Sequence, residues 1–226
     1  MFYRTLELTL APALRAVYRP EITGAHHVPA EGPVILAGNH ISFADEFFTP
    51  LAARRQVVYF AKAEYFTTPG IRGRATAAFF TTLGHVPVER GDPRAAASVI
   101  DVGVQVLGEG RALGIFPEGT RSPDGRLYKF RTGVARVALR SGAPVVPVGI
   151  VGTREVQPPG ERMWHRAPVS VHFGEPLHFG DRAEEERSSK VLREVTEVVR
   201  RAVQGLSGQE YVDSFASSAR GELSGQ

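Results

Sequence analysis

The chain alternates between short apolar runs and longer stretches of helical period. Residues 33–37 read Pro-Val-Ile-Leu-Ala and close on Gly38, the pattern of a buried strand. Similar runs recur at 57–61, 85–88, 112–116 and 145–151, with a short one at 21–23 and an alternating one at 169–173. Helical stretches lie between them. Phe43, Phe47, Phe48 and Leu51 fall at helical spacing after the first run, and Ala97, Ile100, Val104 and Leu107 form a stripe over 94–107, stopped by Gly108 or Gly110. A short helix is expected over 132–139. The clearest amphipathic helix covers 187–203, with Val191, Leu192, Val195, Val198, Val199, Ala202 and Val203 on one face. Residues 65–83, rich in Phe, Ala and Thr, suit a core helix or the wall of an apolar pocket.

Strands alternating with helices of this length predict an α/β fold: a single domain whose largely parallel mixed sheet is flanked by helices and closed by right-handed crossovers. The chain sorts into an N-terminal membrane-interface helix over 1–20, the domain proper over 21–205, and a flexible Ser/Gly/Gln-rich tail over 206–226. The first of these carries Phe2, Leu6, Leu10, Leu14 and Val17 on a helical stripe interrupted by Pro12, with Arg4, Arg15 and Arg19 beside it. Such a helix lies in a membrane interface or packs on its own domain. His26 and His27 lack the helical spacing of a metal pair and read as surface.

Composition removes several classes of chemistry. With 226 residues, 42% hydrophobic and 23% charged, the chain can bury a real core. It has no cysteine, which excludes a disulfide framework, a thiolate metal site and a Cys nucleophile. The net charge is only +3, but the basic residues are mostly Arg, which favours bidentate contact with phosphate or carboxylate. The longest uncharged runs, such as 75–88, are about 14 residues, short of the roughly 20 that span a bilayer. Arg4 and Glu7 come early and no small-residue cleavage site follows an apolar core, so a signal peptide is not expected.

Candidate chemistry gathers where strands end. Asn39-His40, Glu89-Arg90 and the run from Pro117 to Arg121 each follow a predicted strand, and in parallel sheets such loops share one rim. His40 falls on the turn after the first buried run. Ser42 and Asp45 resemble a capping box, and Asp45 is placed to reach back to His40. An imidazole held by a carboxylate keeps one tautomer and frees its other nitrogen as a base. The plainer alternative makes Asp45 a helix cap and His40 the partner of a loop carbonyl. Lys129 and Arg131 add positive charge near the second loop, whereas Arg126 reads as a solvated face.

Competing motifs are missing. The sequence holds no G-x-S-x-G elbow, no phosphate loop of the G-x-x-x-x-G-K type and no H-E-x-x-H. Residues 108–114 resemble a dinucleotide loop but precede a strand instead of opening a helix. Nucleic acid is not expected, because the aromatics lie in apolar runs and are not interleaved with basic residues.

Four ordered blocks between about Gly32 and Gly152 resemble the glycerolipid acyltransferase family that includes bacterial 1-acylglycerol-3-phosphate acyltransferases. His40 and Asp45 match its N-H-x-x-x-x-D motif, and residues 84–90 (Gly-His-Val-Pro-Val-Glu-Arg) match its second block. Residues 116–122 (Phe-Pro-Glu-Gly-Thr-Arg-Ser) and 143–148 (Ala-Pro-Val-Val-Pro-Val) match the third and fourth. Lys62 and Arg131 also fall where members carry similar residues.

The resemblance implies a glycerol-3-phosphate acyltransferase-like fold. It also implies transfer of a fatty acyl group from acyl-CoA or acyl-carrier protein to lysophosphatidic acid, forming phosphatidic acid in phospholipid biosynthesis. His40 and Asp45 would be catalytic. Arg90, Arg121, Lys62 and Arg131 would hold substrate, and Glu118, Gly119 and Thr120 would shape its site. No metal or cofactor is implied, and the expected place is the cytoplasmic face of the cell membrane, peripheral or monotopic. The alternatives are another acceptor (glycerol 3-phosphate, a lysophospholipid or a glycolipid) or a non-catalytic lipid binder at the membrane surface. Many members begin with long apolar helices that this sequence does not show.

Overall fold

The computed structural model describes residues 2–88 and 93–224. Helix α1 (Phe2–Tyr18) leads to strands β1 (Glu21–Thr23) and β2 (Val34–Gly38), then helix α2 (Asp45–Ala53). Strands β3 (Val57–Val58) and β4 (Phe60–Lys62) precede helices α3 (Glu64–Thr67) and α4 (Gly70–Thr82) and strand β5 (Val86–Val88). Next come α5 (Pro93–Gly108), β6 (Ala112–Ile115), β7 (Leu127–Tyr128), α6 (Gly133–Ser141) and β8 (Val145–Val151). The chain finishes with α7 (Thr153–Val156), β9 (Ser170–Phe173), α8 (Ser189–Ser207), β10 (Tyr211–Val212) and α9 (Ala216–Ser224).

The main sheet has six strands in the order β1-β9-β8-β2-β6-β3. Every neighbouring pair runs parallel except β8 with β9. The largely parallel mixed sheet expected from the sequence is therefore present. Helices cover both faces, which is why β2 is buried along its whole length. Ile35 and Ala37 join Leu113, Val134, Leu139 and Val195 on one side, under α5, α6 and α8. Val34 and Leu36 join Phe48, Val146 and Ile150 on the other, under α2.

Two glycines allow close approaches on this sheet. A Cβ on Gly149 would meet the backbone of Leu206, so the last turn of α8 lies directly on β8. One on Gly114 would collide with the ring of Tyr59, which lies across β6. Tyr59 is also where the chain leaves the main sheet. Before it, β3 pairs with β6, and beyond it, β4 pairs with β5 in a separate ladder.

Three expectations change or narrow, the N-terminal helix being one for which packing on the domain is already an alternative. Residues 65–83 do not make a core helix. Pro69 breaks the stretch into α3 and α4, because the residue before a proline is pushed out of helical geometry, and only Gly73 and Phe80 of α4 are buried. Helix α1 docks its last turn on the domain: Leu14 is buried, the Arg15 guanidinium donates to the Leu51 carbonyl at 2.9 Å, and Tyr18 meets Phe48 edge to face. No described helix is long and apolar enough to cross a membrane.

The third change concerns the tail, which packs back instead of fraying. Helix α8 continues to Ser207 and stops at Gly208 in the left-handed region (φ 67°). Strand β10 then pairs with β7, Lys129 reaches Asp213 at 2.9 Å, the Arg200 guanidinium sits 3.9 Å over the Tyr211 ring, and Ala216 is fully buried. Composition hid this because the anchoring contacts come from distant residues. A chain ending at Gly208 is expected to melt at a lower temperature than the full chain, as followed by circular dichroism. Equal melting temperatures would mean that the segment contributes no stability.

Candidate active site

Strands β2, β6 and β8 are parallel neighbours, so the loops after them meet at one edge of the sheet. The first buried polar group there is Asn39, fully enclosed just past β2. Its side-chain amide donates to the Ile150 carbonyl at 2.8 Å and accepts from the Ile150 N–H at 2.8 Å. The amide thus continues the β2–β8 ladder by one rung and ends the strand in a fixed position.

His40 follows. Its Nδ1 lies 2.9 Å from Oδ2 of Asp45, a residue with no exposed surface. That same oxygen accepts the backbone N–H of Ile41 at 2.8 Å and of Ser42 at 2.9 Å. An oxygen already taking two N–H groups is the acceptor here too, so Nδ1 carries the proton and Nε2, across the ring, is the basic nitrogen. The other carboxylate oxygen, Oδ1, accepts the hydroxyl of Thr153 at 2.5 Å. The helix-start expectation is half met. Helix α2 begins at Asp45 with Ala44 in the cap position, and the Ser42 hydroxyl accepts from the Ala44 N–H at 3.2 Å and not from that of Asp45.

The imidazole lies flat on Phe116, with centroids 4.0 Å apart and an interplanar angle of 6°, and Phe116 in turn stacks on Tyr59 at 5.3 Å. The His40 side chain keeps 12% of its surface exposed. Its main chain is clamped on both sides. The His40 N–H donates to Oε1 of Glu118 at 2.9 Å, and its carbonyl accepts from the Ser122 N–H at 2.7 Å.

Glu118 therefore braces the loop. It is fully buried, and Oε2 accepts the Tyr128 N–H at 3.0 Å, so neither oxygen faces outward to a substrate. Burial pushes its carboxyl up to about 8, outweighing the two backbone N–H groups that pull the other way. Its expected place in the substrate site is corrected accordingly. His85, from the second block, is also buried, and desolvation pushes it down to about 4, so it packs as a neutral ring against Tyr59 and Phe80.

The remaining candidates separate. Gly119 is left-handed (φ 78°), and a Cβ there would come 2.9 Å from Nε of Arg131, so the turn needs glycine. Thr120 is half-buried on that turn, and Arg121 is exposed one residue before Ser122, on the loop that grips His40. Arg131 gives its N–H to the Pro117 carbonyl at 2.8 Å, while its guanidinium lies 4.9 Å from the Phe215 ring and bonds Ser217 at 3.2 Å. Lys62 stands on the separate β4–β5 ladder, 4.0 Å from Glu64 and opposite Val88. Arg90 lies outside the described residues. Among the described residues, no group of three or more His, Asp or Glu is placed to hold a metal ion.

Asn39, Phe116 and Thr153 are the site residues that sequence reasoning gave no role. Asn39 carried a local signal, a polar residue closing a buried strand. Thr153 carried none, because it lies 108 residues from Asp45.

The family model described as Acyltransferase matches residues 19–151. A chloroplastic 1-acyl-sn-glycerol-3-phosphate acyltransferase of Brassica napus is 32% identical over 74% of this chain and 47% of its own. The corresponding chloroplastic enzyme of Arabidopsis thaliana is 34% identical over 71% of this chain and 44% of its own. The chain thus spans about half the length of these curated relatives. The crystal structure of the 1-acyl-sn-glycerophosphate (LPA) acyltransferase PlsC from Thermotoga maritima superposes with a TM-score of 0.67 at 26% identity, covering 90% of this chain and 79% of that one.

Two measurements probe the buried carboxyls. Thr153→Val removes the donor to Oδ1 of Asp45 and should cost about 1–3 kcal/mol in chemical denaturation, whereas Thr153→Ser should retain most of the stability. For Glu118 the proton is held more tightly in the folded chain, since its carboxyl rises from 4.5 to about 8. The unfolded chain therefore releases it first, and stability contributed by this group falls as pH rises from about 4.5 to about 8. Glu118→Gln, although less stable overall, should lack that slope; an identical pH dependence in both proteins would count against the raised value.

Proposed function

This chain belongs to the acyltransferase family, and from that premise we propose that it acylates the free hydroxyl of 1-acylglycerol 3-phosphate, giving phosphatidic acid. The single observation that carries the reading is the oriented imidazole. Asp45, itself held by four donors, fixes Nδ1 of His40 and leaves Nε2 as a base at an exposed rim. The names of the relatives support the choice of acceptor.

In this mechanism Nε2 takes the hydroxyl proton as the acceptor oxygen attacks the carbonyl of an acyl thioester, on coenzyme A or acyl-carrier protein. The tetrahedral adduct collapses, the carbon–sulfur bond breaks, and His40 returns the proton to the departing thiolate. Asp45 stabilises the imidazolium that forms between these steps. No acyl-enzyme is required. Arg121 holds the acceptor phosphate, with Arg90 and Lys62 as further cations and Gly119 and Thr120 shaping the turn beneath it. Glu118 and Arg131 position that loop from behind. The acceptor is a lipid, so the working place is a membrane surface, taken here as the cytoplasmic face of the cell membrane.

His40→Ala should lower the rate by about 10²–10⁴-fold, and it should also lower the melting temperature, since it takes one donor from the buried Asp45 and the ring stacked on Phe116. His40→Gln, which can keep a donor toward Asp45, should lose the same activity with a smaller loss of stability. Wild-type turnover, followed by release of free thiol, would remove His40 as the base. Asp45→Asn should be slow and also less stable, because an amide nitrogen would face donors from Ile41, Ser42 or Thr153.

Arg121→Ala should raise the apparent KM for the phosphate-bearing acceptor far more than that for the thioester, with Lys recovering only part. Parallel losses for both substrates, with a lower melting temperature, would make Arg121 a brace for its loop.

A further inference from the structure

Helix α4 turns its apolar residues outward as well as inward. Gly73 and Phe80 face the domain, and a Cβ on Gly73 would strike the Thr68 carbonyl, so the helix sits tightly on the end of α3. The opposite side carries Ile71, Ala75, Ala78 and Phe79, all exposed, with Ile71 at 87% and Phe79 at 38%. At 3.6 residues per turn, Arg72 and Arg74, both exposed, fall on the two flanks of that stripe. A helix on a water-facing surface would place charges along the stripe itself.

The stripe is continuous with a ridge of aromatic rings. Phe79 meets Phe47 at 6.3 Å, Phe47 meets Trp164 at 5.4 Å, and Trp164 meets Tyr18 at 6.3 Å. At the ridge's far end stand Met163, 74% exposed, and Val17, 48% exposed. Arg162 and Arg166 flank the first, and Arg19 flanks the second; all three are exposed. Glu161, the carboxylate next in sequence, is occupied by His165 at 2.6 Å. Inward, the same ridge runs from Phe47 to Phe43 at 5.3 Å, three residues past His40.

We propose that this face, α4 together with Met163, Trp164 and the end of α1, docks on an anionic lipid surface. Ile71, Phe79 and Met163 enter the acyl boundary, and the flanking arginines reach headgroup phosphates while their stems cover apolar surface. Charge decides between occupants. A second copy of the chain would set arginine against arginine, and an apolar protein partner would leave the arginines without anions. The ridge gives a lipid chain an apolar path from that surface to His40. This step rests on the lipid-acceptor reading above, and it assigns the membrane contact to α4 and not to α1 alone.

The test is vesicle sedimentation with phosphatidylglycerol-containing and pure phosphatidylcholine vesicles. The parent should bind the anionic vesicles, and Ile71→Glu with Met163→Glu should weaken that binding by about tenfold or more. Arg72→Ala with Arg74→Ala should reduce the preference for anionic over neutral vesicles, and an unchanged preference would overturn the role given to these two arginines. Each variant should keep the parent's melting temperature, because these side chains are exposed. Thiol release with a short-chain, monomeric lysophosphatidic acid should be unchanged in the glutamate variant, and reduced when the acceptor is embedded in vesicles. Parent-like sedimentation of the glutamate variant would overturn the proposal. So would a dimer, seen by light scattering, that the same substitutions convert to a monomer. Vesicle binding is read without turnover, so failure of the acyl-transfer reading and failure of this one are separable.

Discussion

Four donors converge on one buried carboxylate, and this edge of the sheet is built around them. Asp45 takes the His40 ring, the N–H groups of Ile41 and Ser42, and the Thr153 hydroxyl. A carboxylate out of water is tolerated only when such partners replace its hydration. The requirement works in both directions. It holds the strand-to-helix turn after β2 in one shape, and it ties that turn to the start of α7, on the far side of β8. The imidazole is oriented as a consequence of satisfying the acid.

Glu118, the second buried carboxyl at this edge, is treated differently. It has two N–H partners where Asp45 has four donors, and burial raises it to about 8. It links the backbone of His40 to that of Tyr128 and so ties the loop after β6 to the loop after β2. The ring stack of His40, Phe116 and Tyr59 adds a third connection, to the point where the chain leaves the main sheet. The imidazole is thus fixed by a hydrogen bond at its edge, a ring on its face and clamps on its main chain.

Much of this was legible in the sequence. Apolar runs located β2, β6 and β8, and strand-end loops located His40, Asp45 and Arg121, because periodicity and turn chemistry are local. The face of α4 and the fate of the C-terminal segment were not legible. An apolar helix reads as core whether or not something covers it. A Ser/Gly/Gln-rich end reads as loose unless Lys129, Arg131 and Arg200 are known to be nearby. The role assigned to Glu118 failed for a related reason: a motif names residue types but does not say which of them face inward.

The bonds that Asn39 makes to Ile150 and Asp45 makes to Thr153 span 111 and 108 residues of chain. During synthesis His40 leaves the ribosome long before those partners exist. At about 5–20 residues per second the nascent chain carries an unfinished β2 turn, with Asn39 and Asp45 still hydrated, for several seconds. Contacts of such long range also slow the final folding step, since the intervening loop must close before any is gained. The local bonds around Oδ2 of Asp45 can form within a few residues, whereas the anchors that hold the turn from outside, Asn39 to Ile150 and Thr153 to Asp45, exist only once β8 lies beside β2.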